Sequence, residues 1–356
     1  MSPLGQLAVE EPGGVTGSKD PRAPGKRWRV RFSPLFFCVP LIVLLSFQFN
    51  MSSPPSSWAE DSQSTETLTR PSTDLSTDRY ADSRQRFAEL SQAGRWTEVA
   101  TLAQELLPHS PAEPMIHYWL GQARLNLHDT VGAIKALRAA ERLGLDTLDL
   151  RMALGTAYFN LNQFLLFEQQ TERAIRTNPT SREPYYALGR YYESIRSDAA
   201  RALKYFEKAN TLNPEDARSW AHQGYCLEML RRGQEARRAY ETAIALEKDE
   251  KLSLPYQGLA RLSLQAEPER ALSFAKKAVE FEPDSDASHF LLAKVYQRLG
   301  KPSDAVTELE TAIRLNPTDL APRLVLSQIY TRIGKKQAAE AERRMIEEIG
   351  QIYGVR

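Results

Sequence analysis

Histidine and cysteine, the side chains that most often bind metals or act as catalytic bases and nucleophiles, are rare in this sequence. Its 356 residues include five histidines and two cysteines, without the spacing of a zinc site or a disulfide framework. They are His109, His117, His128, His222 and His289, with Cys38 and Cys226. We therefore expect surface or packing histidines, no disulfide between the two cysteines, and no metal site.

Other chemical signatures are also missing from the sequence. There is no glycine-rich phosphate loop and no G-x-S-x-G motif, and most carboxylates alternate with Lys and Arg, as on solvated helix faces. Residues 80–356 carry 38 Lys and Arg against 37 Asp and Glu, so no excess of basic charge is available to neutralise nucleic-acid phosphates. We predict a protein that is not an enzyme, uses no cofactor and binds no nucleic acid.

The amino-terminal part of the chain has the pattern of a targeting segment. Residues 1–31 are polar and end in the basic run KRWRVR, and residues 32–49 contain no charged side chain. A helix of 18 residues is about 27 Å long, close to the thickness of the hydrocarbon core of a membrane. We predict a disordered basic segment over residues 1–31 and a hydrophobic membrane segment over 32–49.

Two interpretations of this segment remain open. As a signal anchor it stays in the membrane, with its basic flank in the cytoplasm and the rest of the chain outside. As a signal peptide it is cleaved, and a small-x-small site exists at Ser57-Trp58-Ala59. Both interpretations place the remainder of the chain outside the cytoplasm, either anchored in the membrane or as a secreted or periplasmic protein. Residues 50–79 are rich in Ser, Thr, Pro and acidic side chains, which predicts a flexible linker.

Internal repetition indicates the fold of the rest of the chain. A small residue in the middle of one helix is followed by an aromatic residue, then by alanines, and then by a proline that ends the unit. Two of the clearest examples are Leu154-Gly155 with Tyr158, Ala174 and Pro179, and Leu188-Gly189 with Tyr192, Ala209 and Pro214. Eight units start near residues 80, 114, 148, 182, 217, 251, 286 and 320, at spacings of 34 or 35 residues.

This pattern resembles the tetratricopeptide repeat family. The resemblance implies an all-α fold, a right-handed superhelical solenoid of about eight helix pairs over residues 80–356. Two departures stand out: Phe87 takes the place of the small residue in the first unit, and Pro255 lies inside the first helix of the sixth. The sequence shows no clear extra capping helix after the last unit, so we expect an apolar face there that a partner or a second copy could cover.

The resemblance also implies a binding surface. In the family, a concave groove is lined by the second, fifth, ninth and twelfth positions of each first helix. We predict that partner-binding residues lie at such positions: Phe159, Tyr186, Arg190, Glu193, Arg218, Tyr225, Glu228 and Lys294. The alternative is that Tyr186 and Tyr225 only pack against neighbouring first helices while the charged residues form local pairs, and that Phe159 belongs to the core.

These observations lead to one functional prediction and one alternative. We predict an interaction scaffold or adaptor that binds a peptide or helix of an unidentified protein partner in the groove, outside the cytoplasm, with the membrane contacted through the amino-terminal segment. The alternative is a structural component of an envelope or secretion complex that self-associates into a homo-oligomer through its carboxy-terminal repeat. The paired Lys-x3-Asn and Lys-x3-Arg positions of the repeats that bind chaperone tails are not matched here.

Overall fold

The structure, a computed structural model, describes residues 75–247 and 251–353, with side chains from residue 83 onward. These residues form sixteen helices and no strand. The helices are α1 (Leu75–Gln92), α2 (Trp96–Leu106), α3 (Pro114–Asn126), α4 (Thr130–Arg142), α5 (Leu148–Asn160), α6 (Phe164–Thr177), α7 (Arg182–Ser194), α8 (Ala199–Leu212), α9 (Ala217–Met229), α10 (Gly233–Ala245), α11 (Ser253–Ser263), α12 (Pro268–Phe281), α13 (Asp286–Arg298), α14 (Pro302–Leu315), α15 (Leu320–Arg332) and α16 (Lys336–Tyr353).

The helices pack in consecutive pairs, and each pair packs against the next. Along the chain every helix contacts the one that follows it. First helices of adjacent pairs also touch one another, as in α7 with α9, α9 with α11, and α11 with α13. The described chain is therefore a stack of eight helix pairs, which is the arrangement expected of a helical solenoid, where each unit buries the apolar face of its neighbour.

Glycines in the first helices let large side chains of the second helices approach the backbone. A Cβ atom at Gly189 would lie 2.7 Å from the ring of Phe206, and one at Gly258 would lie 2.2 Å from the ring of Tyr240. Both rings are fully buried. The alanines of the second helices, such as Ala209 and Ala312, are also fully buried. The small residues of the repeat pattern thus exist because the paired helices are too close for larger ones.

The short turn between the two helices of a pair usually needs one residue with a positive φ angle. A residue with positive φ lies in this turn in seven of the eight described pairs, and in three of them it is a glycine: Gly94, Gly300 and Gly334. The other four pairs use non-glycine residues there: His128, Asn162, Ser197 and Arg231. A left-handed conformation costs a non-glycine residue about 1–2 kcal/mol, so packing of the flanking helices must hold these turns in place.

Both departures from the repeat pattern have a structural explanation. Phe87 is fully buried and stacks on Trp119 of the next pair, with ring centroids 5.5 Å apart. Pro255 lies in the first turn of α11 because that helix begins only at Ser253. A proline is tolerated in the first turn of a helix, where the missing N–H has no intrahelical acceptor.

The amino-terminal predictions fall mostly outside the described residues. The basic segment 1–31, the hydrophobic segment 32–49 and the linker up to residue 74 all lie there. The structure begins with α1 at Leu75, so residues 75–79, which we predicted to be part of the linker, are helical. Within the described ranges no helix combines the length and the apolar character that a membrane crossing needs.

Candidate binding groove

The predicted binding residues lie on the first helices of the pairs. Positions two, five, nine and twelve of a helix share one face because their spacing follows the helical period. The contacts of α7 with α9 and of α9 with α11 make these faces neighbours. The structure therefore brings the residues predicted on α7 and α9 into one surface, and the question is whether they remain available to a partner.

Tyr186 of α7 is enclosed by side chains of its own and neighbouring helices. Its ring centroid lies 5.8 Å from that of Phe206 and 5.9 Å from that of His222, both in edge-to-face geometry. The guanidinium groups of Arg182 and Arg218 lie 5.3 and 6.0 Å from its centroid. Burial raises the pKa of the Tyr186 hydroxyl. Tyr186 thus packs against neighbours, as the alternative interpretation expects.

Arg190 and Glu193 form a closed polar cluster with His222 of α9. Arg190 Nε lies 3.4 Å from Glu193 Oε2, Arg190 Nη1 lies 3.1 Å from His222 Nε2, and His222 Nδ1 lies 3.0 Å from the same Glu193 oxygen. A guanidinium can only donate, so His222 Nε2 accepts and its Nδ1–H donates to Glu193. The three side chains are at most 15% exposed, and each of them pairs with another member of the cluster.

His222 was not among the predicted binding residues. It lies one residue after a predicted groove position, and its ring stacks on Phe206 with centroids 5.4 Å apart. Its partners come from a different repeat, more than 28 residues away in the chain. Only the packing of α7 against α9 brings these residues together, so spacing within one repeat could not have identified the cluster.

The two remaining polar residues predicted on α9 also have partners within the chain. Arg218 Nε lies 3.3 Å from Asp216 Oδ1, although the Arg218 side chain is still 44% exposed. Glu228 accepts hydrogen bonds from Arg261 Nε and Nη2 at 2.7 and 3.0 Å, and from the Tyr240 hydroxyl at 2.9 Å. This bidentate ion pair between Glu228 and Arg261 connects α9 to α11.

Two aromatic residues of the predicted site differ in exposure. Phe159 is only 5% exposed and packs edge-on against Phe164 and Phe167, with centroids 5.5 and 5.3 Å away. Its ring fills the core between α5 and α6, which is the alternative that we considered for Phe159. Tyr225 is half-buried, and burial, followed by the nearby charge of Glu193, raises the pKa of its hydroxyl.

The groove is more open at the seventh and eighth pairs. Lys294 is exposed, and its ammonium group lies 5.6 Å from the ring centroid of the half-buried Phe290 on the same helix. Leu324, at the fifth position of α15, is 52% exposed. Ala287 and Ala321, at the second positions, are exposed as well. This surface, which we call the open patch, combines apolar side chains with one lysine that pairs with no carboxylate of the described residues.

One acidic residue of the groove differs from its neighbours. Asp149, at the second position of α5, is half-buried and has no ion-pair partner among the described residues. Burial, and then the negative charge of Glu183, raises the pKa of its carboxyl group. Across the described ranges no group of three His, Cys, Asp or Glu residues is arranged to hold a metal ion.

Comparison with known families identifies the repeats. Residues 185–251 match the family described as "Tetratricopeptide repeat". Residues 267–342 match the family described as "Anaphase-promoting complex, cyclosome, subunit 3". The chain is a tetratricopeptide repeat protein. Such repeats are in general protein–protein interaction scaffolds and not enzymes, and no catalytic family is indicated.

Solved structures share the fold of this tetratricopeptide repeat chain at low sequence identity. A chain of the APC/C hetero-tetramer Cut9-Hcn1 is 14% identical with a TM-score of 0.56, over 68% of this chain and 48% of that one. This chain therefore spans about half the length of that relative. The Pseudomonas aeruginosa protein pilF is 17% identical with a TM-score of 0.53, over 60% of this chain and 97% of its own.

A third structure is the C-terminal part of a tetratricopeptide repeat protein from Cytophaga hutchinsonii. It is 16% identical with a TM-score of 0.52, over 66% of this chain and 96% of its own. Comparison with curated protein sequences found no significant match. At these identities the structural neighbours show a shared fold, so partner and process must be argued from the chain itself.

The last tetratricopeptide repeat does not present the apolar face that we expected. In α14, the side chains that pack against the next first helix are Val306, Leu309 and Ile313. The equivalent residues of α16, 34 positions later, are charged and exposed: Glu340, Arg343 and Glu347. Met345 and Ile352 are exposed elsewhere on α16. A polar face at these positions is typical of the capping repeats of solenoids.

Proposed function

We propose that this tetratricopeptide repeat chain is an interaction scaffold that binds an extended or helical segment of a protein partner in its inner groove. The family supports a role in protein–protein interaction. The observation that carries the finer proposal is the contrast along the groove. Most predicted residues of α7 and α9 are held by neighbours, whereas the open patch keeps Lys294 and Leu324 accessible. We place the main contact of the partner on the open patch.

The chemistry of the open patch indicates what it would accept. The exposed Leu324 and the half-buried Phe290, at the fifth positions of successive first helices, can receive an apolar side chain. Lys294 adds a single positive charge beside them, so a partner segment with an apolar anchor next to an acidic side chain would fit. Arg218 remains partly accessible further along the groove and would contribute a secondary contact.

The test is affinity capture from native membranes with four full-length baits. The first is the unaltered chain, and the second carries Lys294→Ala and Leu324→Ala. The third carries Lys208→Ala and Leu165→Ala, which remove an equally exposed lysine and leucine from second helices, and serves as the matched control. The fourth carries Tyr186→Ala, Arg190→Glu and Tyr225→Ala.

We expect a partner that is retained by the unaltered and control baits and weakened by about tenfold or more in the open-patch variant. Equal retention of the partner by all four baits would mean that the binding site lies outside the groove. If only the fourth bait fails to retain the partner, and its melting temperature is unchanged, the binding site lies on α7 and α9.

We also propose that the repeats lie outside the cytoplasm, anchored through the hydrophobic segment 32–49. The absence of charge over these residues and the basic flank before them support this orientation. The test is labelling of a Glu241→Cys variant with a membrane-impermeant maleimide. Glu241 is exposed on α10, whereas the native Cys226 is fully buried, so background labelling of the repeats is low. Labelling of intact cells is expected, and labelling that requires lysis would place the repeats inside.

The alternative role, self-association through the carboxy-terminal repeat, would have to use the exposed Met345, Ile352 and Tyr353 of α16. The charged side chains at its packing positions oppose the addition of another first helix there. We therefore do not extend the proposal to a homo-oligomer.

A further inference from the structure

A cavity lies at one edge of the third helix pair, away from the groove positions. Because α5 and α6 are antiparallel, the beginning of α5 and the end of α6 are adjacent. Between them is a cavity of about 480 Å³ lined by Asp146, Arg151, Arg173, Arg176 and Thr177. Three of the five lining side chains are arginines, and only one is acidic.

Arg151 forms the floor of this cavity and is held in place. Its side chain is 6% exposed, and its Nε lies 2.7 Å from Asp146 Oδ1. Its Nη1 donates to Glu141 of α4 and, at 3.1 Å, to Gln170 of α6. Burial alone would raise the pKa of Glu141, but hydrogen bonds from Arg151 and Arg138 outweigh it and lower that pKa. The buried floor is thus a fixed ion-pair network.

Positive charge exceeds negative charge around the cavity. Glu141 also accepts from Arg138 at 2.7 Å and lies 3.5 Å from Arg173. Three arginines therefore share two carboxylates, Glu141 and Asp146, and a fourth, Arg176, pairs with no acidic residue that the structure describes. A guanidinium keeps its charge at every physiological pH, so the excess cannot be removed by deprotonation.

Arg173 and Arg176 are placed to act on the same ligand. They are three residues apart on α6, so both side chains project from one face of its last turn. Arg173 remains 49% exposed while it reaches Glu141 only at 3.5 Å. Each guanidinium presents several N–H donors in a plane that matches the oxygens of a carboxylate or phosphate.

A simpler explanation for Arg176 is that basic residues favour the carbonyl end of a helix. That explanation applies equally to Arg314, which occupies the same position in the last turn of α14, 29 residues into its unit. It does not explain why a second exposed arginine and a buried one line the same cavity. Arg314 therefore offers a natural comparison, with the same helix end but no arginine at the position equivalent to Arg173, which is Thr311.

We propose that this cavity, the arginine cavity, binds an oxyanion, a phosphate or carboxylate group, through Arg173 and Arg176 above the fixed Arg151. Its volume exceeds that of a single phosphate ion, so the group can be attached to a peptide. The site is independent of the groove, and its test does not depend on whether the groove binds a partner.

The first experiment measures binding of inorganic phosphate to the full-length chain by titration calorimetry, at an ionic strength held constant with chloride. The test variant carries Arg173→Gln and Arg176→Gln, which keep most of each side chain but remove both charges. The control variant carries Arg314→Gln. We expect phosphate binding that weakens tenfold or more in the test variant and less than twofold in the control.

Two outcomes would overturn the proposal. One is the absence of phosphate binding together with the absence of acidic-peptide binding, and the other is an equal loss in the Arg314 variant. The circular dichroism spectrum and the melting temperature of the test variant show whether it folds normally. Because Arg173 and Arg176 are exposed, we expect neither quantity to change.

A second set of titrations identifies the source of the oxyanion. The probes are three peptides of one sequence that carry phosphoserine, glutamate or serine at the central position. Tighter binding of the phosphoserine peptide would indicate a phosphate ligand, and equal binding of the first two would indicate a carboxylate. In both cases the stronger binding of the charged peptides over the serine peptide must disappear in the test variant. Equal binding of all three peptides would contradict recognition of an oxyanion.

Discussion

The inner surface differs between α7–α11 and α13–α15, although both stretches are built from the same repeat. At the fifth position, Tyr186 is surrounded by two rings and two guanidinium groups, whereas Leu324 is 52% exposed. At the ninth position, Arg190 is shared between Glu193 and His222, whereas Lys294 is exposed. Equivalent positions therefore stabilise the fold in one stretch and remain available for binding in the other.

The difference in exposure between these equivalent positions follows from the residues on neighbouring helices and not from the position within the repeat. His222 on α9 and Arg261 on α11 supply partners across the interface between repeats. In α13 and α15 the residues in register with His222 are Leu291 and Val325, and those in register with Arg261 are Tyr296 and Tyr330. A helix face that recurs in every repeat can thus be divided into a part that stabilises the solenoid and a part that is exposed, and mutations can distinguish the two.

The largest expected effect comes from the fifth position. Tyr186→Ala removes the contacts with Phe206 and His222 and should lower the free energy of unfolding by about 3 kcal/mol. Leu324→Ala removes a side chain that is already half in water and should cost less than about 1 kcal/mol. Urea denaturation of the full-length variants, followed by circular dichroism, measures both.

Leu165→Ala, at a leucine that is 68% exposed on α6, controls for the loss of an exposed apolar side chain. Equal losses for Tyr186→Ala and Leu324→Ala would mean that the two stretches of the groove do not differ, and the open patch would lose its basis.

A smaller difference is expected at the ninth position. Arg190→Ala leaves Glu193 and His222, both at most 15% exposed, without their cationic partner and should cost about 2 kcal/mol. Lys294→Ala should stay within about 0.5 kcal/mol of the unaltered chain. Melting temperatures and urea midpoints compare the two variants, and Arg190→Lys tests whether the charge or the planar geometry matters.

If Arg190→Ala leaves stability unchanged, the cluster is not structural and Arg190 becomes a candidate for partner binding again. The outcome therefore decides between the binding interpretation and the packing interpretation of this residue.

The sequence predicts the helical pairs well because their determinants are local. The glycine opposite Phe206 and the buried Ala209 can be recognised from spacing within one repeat. The polar face of α16 could also have been predicted, since Glu340, Arg343 and Glu347 occupy the register of apolar residues in α14. The expectation of an apolar face rested on the repeat pattern after the last unit and not on these residues.

The candidate site was less predictable because its contacts join different repeats. Arg190 meets His222 from 32 residues away, and Glu228 meets Arg261 from 33 residues away. The repeat register places such residues on adjacent helices but does not say whether their side chains pair with each other or with a partner. Phe159 shows the same limit, since a predicted groove position can still rotate its ring into the core.

The smallest expected effect concerns Asp149 of α5, an acidic residue at a groove position that has no ion-pair partner among the described residues. Burial and the charge of Glu183 raise its pKa above the ordinary 3.8, so the folded chain binds this proton more tightly than the unfolded chain. The resulting stabilisation is complete below 3.8 and is lost as the pH rises through the folded pKa. At neutral pH the ionised carboxylate therefore weakens the fold.

Asp149→Asn should consequently raise the melting temperature slightly at neutral pH, and the gain should shrink as the pH falls towards 3.8, where the native carboxyl group also becomes neutral. The position of Asp149 in the first turn of α5 favours its charge and keeps the gain small. Melting curves of both chains at several pH values measure the difference. A gain that is independent of pH would show that desolvation of the carboxylate is not its cause, and a loss at neutral pH would show that the helix end already stabilises this charge, as ion pairs do for Glu193 and Glu228.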